Sequence, residues 1–142
     1  MSSHIYGPVP SRRLGRSLGV DLVPAKTCSF NCVYCQLGPT EQTTLERREY
    51  VPADRLVSEV REHLRASRRP DYITLSGSGE PTLNTAFGEI ARRIKEFADI
   101  PVALLTNSSL MHLPEVREAC GPLDLIVPSL DAGDEEVFRY VN

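Results

Sequence analysis

Two patterns of apolar residues alternate along the chain. Short runs of β-branched and aliphatic residues are typical of buried strands, whereas apolar residues that recur every three or four positions are typical of amphipathic helices. Strands are predicted at residues 18–23, 72–75, 102–105 and 125–127. Because strands and helices alternate, we predict an α/β fold in which βα units build a parallel sheet.

Helices are predicted between and after these strands. Asp54 is expected to cap the first helix, whose apolar face is formed by Leu56, Val57, Val60 and Leu64. The second helix is indicated by an apolar face of Phe87, Ile90, Ile94 and Phe97. A short third helix is predicted at 114–119 and a fourth at 134–140. The pattern therefore predicts about four βα units.

The composition is that of one globular domain. The chain has 142 residues, of which 41% are hydrophobic and 25% charged, and its formal net charge is -3. It shows neither an export signal nor a run of about 18 apolar residues, so a soluble, cytoplasmic protein without a membrane partner is expected. Arg12, Arg13 and Arg16 form a local basic cluster with two open interpretations, a solvated loop or a site for an anion or substrate.

Polar features follow each predicted strand. In parallel sheets, ligands bind beyond the carboxyl ends of the strands, because the loops there vary while the strands stay packed. The features are a cysteine loop, a glycine-rich turn at 76–81, the pair Thr106 and Asn107, and the pair Ser129 and Asp131. They are predicted to share one rim of the sheet. The four paired side chains also have a purely structural interpretation, since such residues cap helices and turns.

Cys28, Cys32 and Cys35 have the spacing C-x3-C-x2-C. Thiolates are the preferred ligands of iron-sulfur clusters, and three ligands for four irons would leave one iron open to a substrate or cofactor. Structural zinc, a thioredoxin-like pair at Cys32 and Cys35, and an electron-carrying cluster are the alternatives. Cys120 lies on the apolar side of a helical pattern and is predicted to be buried.

The motif C-x3-C-x-aromatic-C after the first strand, with Tyr34 as the aromatic residue, resembles the signature of the radical S-adenosylmethionine (radical SAM) superfamily. The segments 6–15, 76–84 and 128–134 resemble a little-characterised group of iron-sulfur oxidoreductases usually placed beside the wyosine-forming tRNA-modifying enzymes. The resemblance covers nearly all of the chain. It implies a partial barrel of six βα units, so that residues 1–142 would be the N-terminal part of a single, truncated domain.

The resemblance also implies a chemistry and its cofactors. A [4Fe-4S] cluster on the three cysteines would bind S-adenosylmethionine (SAM) and cleave it reductively, giving a 5'-deoxyadenosyl radical that removes hydrogen from an unknown substrate. Such a radical SAM enzyme would need an electron donor such as flavodoxin or ferredoxin. SAM contacts are implied for Tyr34, Ser78, Gly79, Glu80, Thr106, Asn107, Ser129 and Asp131. Ser78 departs from the glycine that the superfamily usually has at its position.

Other functions stay open at this point. One is a non-catalytic iron-sulfur or zinc module, and another is a tRNA-binding modification factor that uses the arginine cluster. Asp21 lies within the first predicted strand, where a buried charge needs a partner. Lys26 or one of the early arginines is the expected partner, which would make Asp21 a support of the cysteine loop. No residue is predicted to be a general acid or base.

Overall fold

Five strands form a single sheet in the computed structural model, which describes residues 3–142. Their spatial order is β1 (Ile5–Ser11), β2 (Gly15–Asp21), β3 (Tyr72–Ser76), β4 (Val102–Thr106) and β5 (Leu125–Pro128). Strands β2 to β5 are parallel, and β1 pairs with β2 in the antiparallel direction. The helices are α1 (Ala53–Ala66), α2 (Phe87–Phe97), α3 (Pro114–Ala119) and α4 (Glu135–Val141), with a 3-10 turn at Pro81–Leu83. The predicted α/β class with a mostly parallel sheet is confirmed.

Strand β1 is not predicted from the sequence. It contains Pro8 and Pro10, which cannot donate ladder hydrogen bonds, and its register shifts between Tyr6 and Val9. Prolines of this kind are confined to sheet edges and bulges. Because β1 lies at the edge of the sheet, its prolines are compatible with its position, although they obscure the strand pattern in the sequence.

The sheet has one apolar face and one face of small and polar residues. Leu18, Ile73 and Val102 are neighbours across β2, β3 and β4, and all three are fully buried. They belong to one core with the predicted apolar faces of α1 and α2, of which Leu56, Val57, Val60, Phe87, Ile90 and Ile94 are buried. Residues of the opposite parity, such as Gly19 and Thr74, lie on the other face of the strands. The polar groups of the sheet therefore point away from the helical layer.

The predicted cap of α1 is wrong. Pro52 occupies the N-cap position without a side-chain hydrogen bond, and the N–H of Ala53 donates to Glu49 Oε1 at 2.7 Å. Asp54 lies in the first turn of α1 and pairs with Arg93 of α2 at 2.7 Å. A carboxylate in the first turn still stabilises the helix through its dipole. The sequence therefore located the start of α1 correctly, but Asp54 lies in the first turn of the helix and is not its cap.

Two other expectations at helix ends are confirmed. Cys120 follows α3 and is 8% exposed within the core, where burial raises the pKa of its thiol. The fourth helix, predicted at 134–140, is α4 at Glu135–Val141, and Asp134 is its N-cap, which accepts the N–H of Val137 at 2.9 Å. None of the helices found within residues 3–142 has the length and apolar character needed to cross a membrane.

The parallel strands give the sheet two distinct edges. The carboxyl edge is defined by the last residues of β2 to β5, which are Asp21, Ser76, Thr106 and Pro128. The amino edge is defined by the first residues of the same strands. The turn between β1 and β2 lies at the amino edge, because Ser11 and Gly15 pair at the start of β2.

Candidate functional site

The cysteine loop follows β2 at the carboxyl edge. Cys28, Cys32 and Cys35 are half-buried, and all three line one cavity of about 90 Å³ together with the glycine-rich turn that follows β3. Within residues 3–142, no three His, Cys, Asp or Glu side chains converge closely enough to form a ready-made site for a metal ion. The three predicted ligands thus surround a common cavity, although their side chains do not converge on one point.

The cysteine loop is fastened to the glycine-rich turn by backbone hydrogen bonds. Lys26 N donates to Ser78 O at 2.7 Å, and Glu80 N donates to Thr27 O at 3.0 Å. A Cβ atom on Gly79 would lie only 2.0 Å from that Thr27 oxygen. Gly79 therefore allows a close approach of two backbones, and the segment that approaches it is the cysteine loop.

Asp21 has a different partner from the one expected. Its carboxylate accepts hydrogen bonds from the N–H of Ser78 at 2.5 Å and from the Ser78 hydroxyl at 2.9 Å. Gly77 adopts a left-handed φ of 120°, and a Cβ atom there would lie 1.5 Å from Asp21 Oδ1. The expected pairing of Asp21 with Lys26 or an arginine is therefore wrong, since the carboxylate closes the strand-end turn instead. The serine at position 78 supplies a hydroxyl to this contact, which a glycine lacks.

Glu80 is the most deeply buried acidic residue of the site, at 2% exposure. Its Oε1 accepts from the N–H and hydroxyl of Thr82, at 3.2 and 2.6 Å, and from the hydroxyl of Thr106 at 2.6 Å. Its Oε2 accepts from the N–H of Asn107 at 2.8 Å. The carboxylate thereby links the turn after β3 to the end of β4, and both of its oxygens already accept hydrogen bonds from the protein.

Asn107 connects the end of β4 to the cysteine loop. Its Nδ2 donates to Ser29 Oγ at 2.9 Å and lies 3.7 Å from Cys28 Sγ, while its Oδ1 accepts the N–H of Ser109 at 3.0 Å. The Thr106 hydroxyl is equally engaged, because it donates to Glu80 and accepts the N–H of Ser108. Both residues stand where the strand-end pattern predicted them, and both support neighbouring loops.

The remaining predicted contact residues lie at the outer rim. Tyr34 is 56% exposed and donates its hydroxyl to Asp131 Oδ2 at 2.6 Å. Partial burial raises the pKa of Tyr34, and the hydrogen bond to Asp131 raises it further. Ser129 is exposed, and its N–H donates to Thr106 O at 2.9 Å. The loop after β5 is thus joined both to the cysteine loop and to β4.

The thiols experience different electrostatic environments. Burial raises the pKa of Cys28, and the nearby Glu80 carboxylate contributes in the same direction. A hydrogen bond from the backbone of Leu37 lowers the pKa of Cys35, and the ammonium group of Lys26 lowers it further. Lys26 Nζ lies 3.2 Å from Cys35 Sγ. The surroundings of Cys35 therefore stabilise its thiolate, whereas those of Cys28 disfavour the thiolate.

The cavity between the thiols is suited to a sulfur-ligated inorganic group. Thiolates are the ligands that iron-sulfur clusters use, and hydrogen bonds to their sulfurs are part of such sites. Donors are present at Cys28 through Asn107 and at Cys32 through Asn142 Nδ2, which lies 3.0 Å away. In addition, Thr40 lines the cavity, and its hydroxyl is buried without a hydrogen-bond partner. An unpaired buried hydroxyl is costly, so a group in the cavity that accepts its hydrogen would satisfy it.

The arginine cluster lies away from the cysteines. Arg12 and Arg13 are exposed in the turn between β1 and β2, at the amino edge of the sheet. The cysteine loop leaves the opposite end of β2. The two features therefore lie at opposite edges, and the arginine cluster is not part of the candidate site.

Two residues that line the cavity are not indicated by the sequence. Lys26 is expected only as a partner for Asp21, and Thr40 gives no signal, because neither belongs to a recognisable motif. Both lie in the same loop as the cysteines, in a segment without helical or strand periodicity. Their proximity to the thiols follows from the folded path of this loop.

Comparison with known proteins places the chain in a sequence family. Residues 22–142 match the radical SAM superfamily. The chain is 44% identical over 141 residues to a protein named GTPase Obg from Brachyspira hyodysenteriae, and 41% identical over 139 residues to a UPF0026 protein of Methanocaldococcus jannaschii. These alignments cover 99% and 96% of this chain but 21% and 43% of the two relatives. The chain thus spans less than half the length of either relative.

A more distant similarity connects the chain to a named enzyme. A probable GTP 3',8-cyclase of Thermoplasma volcanium is 27% identical over 115 residues, which are 81% of this chain and 33% of that protein. The superfamily match is thus accompanied by relatives whose full length is more than twice that of this chain. None of these three relatives is named as a wyosine-forming enzyme.

Proposed function

This chain belongs to the radical SAM superfamily, and on that basis we propose that Cys28, Cys32 and Cys35 hold a [4Fe-4S] cluster. The observation that carries the proposal is the single cavity lined by all three thiols and by the glycine-rich turn. When bound, such a cluster supplies the electron that splits SAM into methionine and a 5'-deoxyadenosyl radical, which takes a hydrogen atom from the substrate. The electron comes from an external donor such as flavodoxin or ferredoxin.

The protein's own contribution is to position and shield these groups. The turn at Ser78 and Gly79 holds the cysteine loop against the end of β3, and we assign to its backbone the contact with the methionine end of SAM. The Glu80 carboxylate acts through this turn, because its oxygens already accept hydrogen bonds from the protein. Glu80 is therefore proposed as a positioning residue.

The ribose and adenine of SAM are proposed to lie toward the outer rim. Asp131, Ser129 and Tyr34 are exposed there and offer carboxylate, hydroxyl and ring surfaces. Next to them, a cavity of about 840 Å³ is lined by Tyr6, Asp21, Cys32, Tyr34 and Ser78 among others. Its size is within the range of small-molecule sites, and it connects the thiols to the polar face of the sheet.

Cluster binding is tested by anaerobic reconstitution of the full-length protein with iron and sulfide. About four irons per chain and a cluster absorption spectrum are expected. Replacing Cys28, Cys32 or Cys35 by Ser should reduce iron uptake, whereas Cys120→Ser is the matched control because Cys120 lies in the core. Full iron uptake by all three loop variants would refute the assignment of the ligands.

SAM cleavage is tested separately on the reconstituted protein. Calorimetric titration should show SAM binding, and dithionite with SAM should give 5'-deoxyadenosine, quantified by chromatography. Binding of iron or zinc without binding of SAM would instead support the non-catalytic iron-sulfur or zinc module. The two measurements thus distinguish the enzyme from its structural alternative.

We propose that the amino edge of the sheet binds a second ligand, which is tRNA or another phosphate polyanion. The C-terminal half of α1 and the segment after it carry further arginines toward this edge. Arg16 is held there by Asp71: the Arg16 N–H donates to Asp71 Oδ2 at 2.7 Å, and the Arg16 carbonyl accepts the N–H of Asp71 at 2.8 Å. The arginines of this edge are Arg12, Arg13, Arg16, Arg61, Arg65, Arg68 and Arg69. Within residues 3–142 none of them forms an ion pair with a carboxylate. Such a surface can attract phosphates although the net charge is -3.

The salt dependence of tRNA binding tests this second proposal. Affinity should fall steeply as salt rises, because each neutralised phosphate releases counterions. The double variant Arg12→Gln and Arg13→Gln should bind more weakly and with a flatter salt dependence. Arg92→Gln is the control, since Arg92 is exposed on α2 and pairs with Glu96. A salt-independent affinity in the unmodified protein would contradict the proposal.

A further inference from the structure

Lys26 occupies an unusual position in the cysteine loop. Its backbone adopts a left-handed φ of 61°, a conformation that is uncommon for a residue other than glycine. In this conformation its N–H donates to Ser78 O at 2.7 Å, and its side chain reaches back over the loop. The ammonium group then contacts Cys35 Sγ at 3.2 Å and Gly38 O at 2.7 Å. The uncommon backbone conformation of Lys26 thus accompanies a contact between its ammonium group and the sulfur of Cys35.

The ammonium group of Lys26 has no carboxylate partner among residues 3–142. Lys95, the other lysine of the chain, pairs with Asp124 at 2.9 Å. Lys26 is half-buried and lines the cavity of the three thiols. A partly buried cation needs a negative or strongly accepting partner. The acceptors within reach are the Gly38 carbonyl and the sulfur of Cys35, and only the sulfur can carry a negative charge.

Thr40 faces the same cavity from the far end of the loop. It is 6% exposed, and its N–H donates to Asn31 Oδ1 at 2.8 Å, which fixes the backbone at this point. The residue lines the cavity together with the cysteines and Lys26, and its hydroxyl is buried without a hydrogen-bond partner. Leaving a buried hydroxyl without a partner is costly. Thr40 therefore brings an unpartnered donor to the wall of the space that the proposed cluster would occupy.

We propose that Lys26 and Thr40 tune the reduction potential of the cluster, an inference that rests on the proposed function. A positive charge at Cys35 and a hydrogen bond from Thr40 both favour the cluster after it has accepted one electron, because reduction adds negative charge to it. The two residues are positioning residues that act through the sulfurs. Together they make the cluster easier to reduce by its donor.

The test is an anaerobic redox titration of the full-length, reconstituted protein with dithionite, followed by the electron paramagnetic resonance signal of the reduced cluster. Lys26→Met and Thr40→Val should each shift the midpoint potential to more negative values, with iron content unchanged. Lys26→Arg keeps the charge and Thr40→Ser keeps the hydroxyl, so both should stay closer to the wild-type potential. Lys95→Met, which removes a charge far from the loop, should have no effect.

The outcomes separate this inference from the proposed function. If the wild-type protein takes up no iron, both are overturned. If it forms the cluster but Lys26→Met and Thr40→Val keep the wild-type potential, the tuning inference alone is overturned. If Lys26→Met loses iron because the loop no longer folds, the comparison of Thr40→Val with Thr40→Ser decides, since valine preserves the shape of threonine and removes only its donor.

Discussion

Glu80 is buried at 2% exposure because four donors surround its carboxylate. Burying a charge is unfavourable unless hydrogen bonds replace the lost water. The donors come from Thr82, Thr106 and Asn107, which belong to the turn after β3 and to the end of β4. A single side chain therefore holds together two of the strand ends that form the candidate site.

Glu80→Gln should destabilise the protein by roughly 2 kcal/mol, because hydrogen bonds to a charged group are lost and one amide N–H faces a donor. Thermal unfolding followed by circular dichroism measures the change. Glu89→Gln is the control, since Glu89 is an exposed residue of α2. Equal melting temperatures for the two variants would show that the Glu80 network does not stabilise the fold.

Gly79→Ala should loosen the cysteine loop, because the new Cβ atom would collide with Thr27 O at 2.0 Å. We expect a lower melting temperature and reduced iron uptake during reconstitution. Gly133→Ala is the matched control, as no atom lies within 4 Å of the corresponding Cβ position. Normal iron uptake by Gly79→Ala would mean that the loop docks on the turn in a different way.

At the scale of secondary-structure elements, a side chain that is distant in sequence holds the start of β4 in place. Asp124 precedes β5 and accepts the N–H of Val102, the first residue of β4, at 2.8 Å. Lys95 of α2 donates to the same carboxylate at 2.9 Å. The hydrogen bond from Lys95 lowers the pKa of Asp124, and the bond from Val102 lowers it further. One carboxylate thus links two strands and a helix at the amino edge.

Asp124→Asn should lower the melting temperature at neutral pH, and the difference from wild type should shrink as the solution becomes acidic. The folded-state pKa lies below the ordinary value, so the stabilisation is complete above about pH 4 and is lost as pH falls through the folded-state pKa. Melting curves at several pH values measure this trend. Asp54→Asn should show little effect at any pH, because Asp54 is 90% exposed.

At the scale of the whole molecule, packing is uneven from the central strands to the last helix. Strand β3 has four buried residues of five, whereas α4 has none. Helix α4 instead meets the cysteine loop, where the rings of Phe30 and Phe138 lie 5.3 Å apart in an edge-to-face arrangement. Among the helices, α4 is therefore the one least supported by the core.

Hydrogen exchange should reflect this gradient. Amides of β3 and β4 are expected to be the most protected, and those of α4 the least protected among the helices, because few apolar contacts oppose its opening. Mass spectrometry of the exchanged protein, digested into peptides, gives the comparison. Protection of 135–141 equal to that of α2 would contradict the expected order.

The helices and parallel strands were predictable because each carries its own periodic signal. The predicted range 114–119 coincides with α3, and the apolar face of Ile90 and Ile94 is buried as expected. Strand β1 was not predictable, since prolines obscure its pattern and only pairing with β2 makes it a strand. The cap of α1 was also missed, because Glu49 rather than Asp54 receives the first free N–H.

The sequence by itself determined the α/β class, the superfamily and the cysteine spacing, because these depend on short-range pattern. Only the tertiary structure decided the partners of the polar residues. Asp21 and Ser78 are 57 positions apart in the chain yet form one contact, and Thr40 lines the same cavity as the thiols because of the path of the loop. Hydrogen bonds depend on distances of a few ångströms, and packing of distant segments sets those distances.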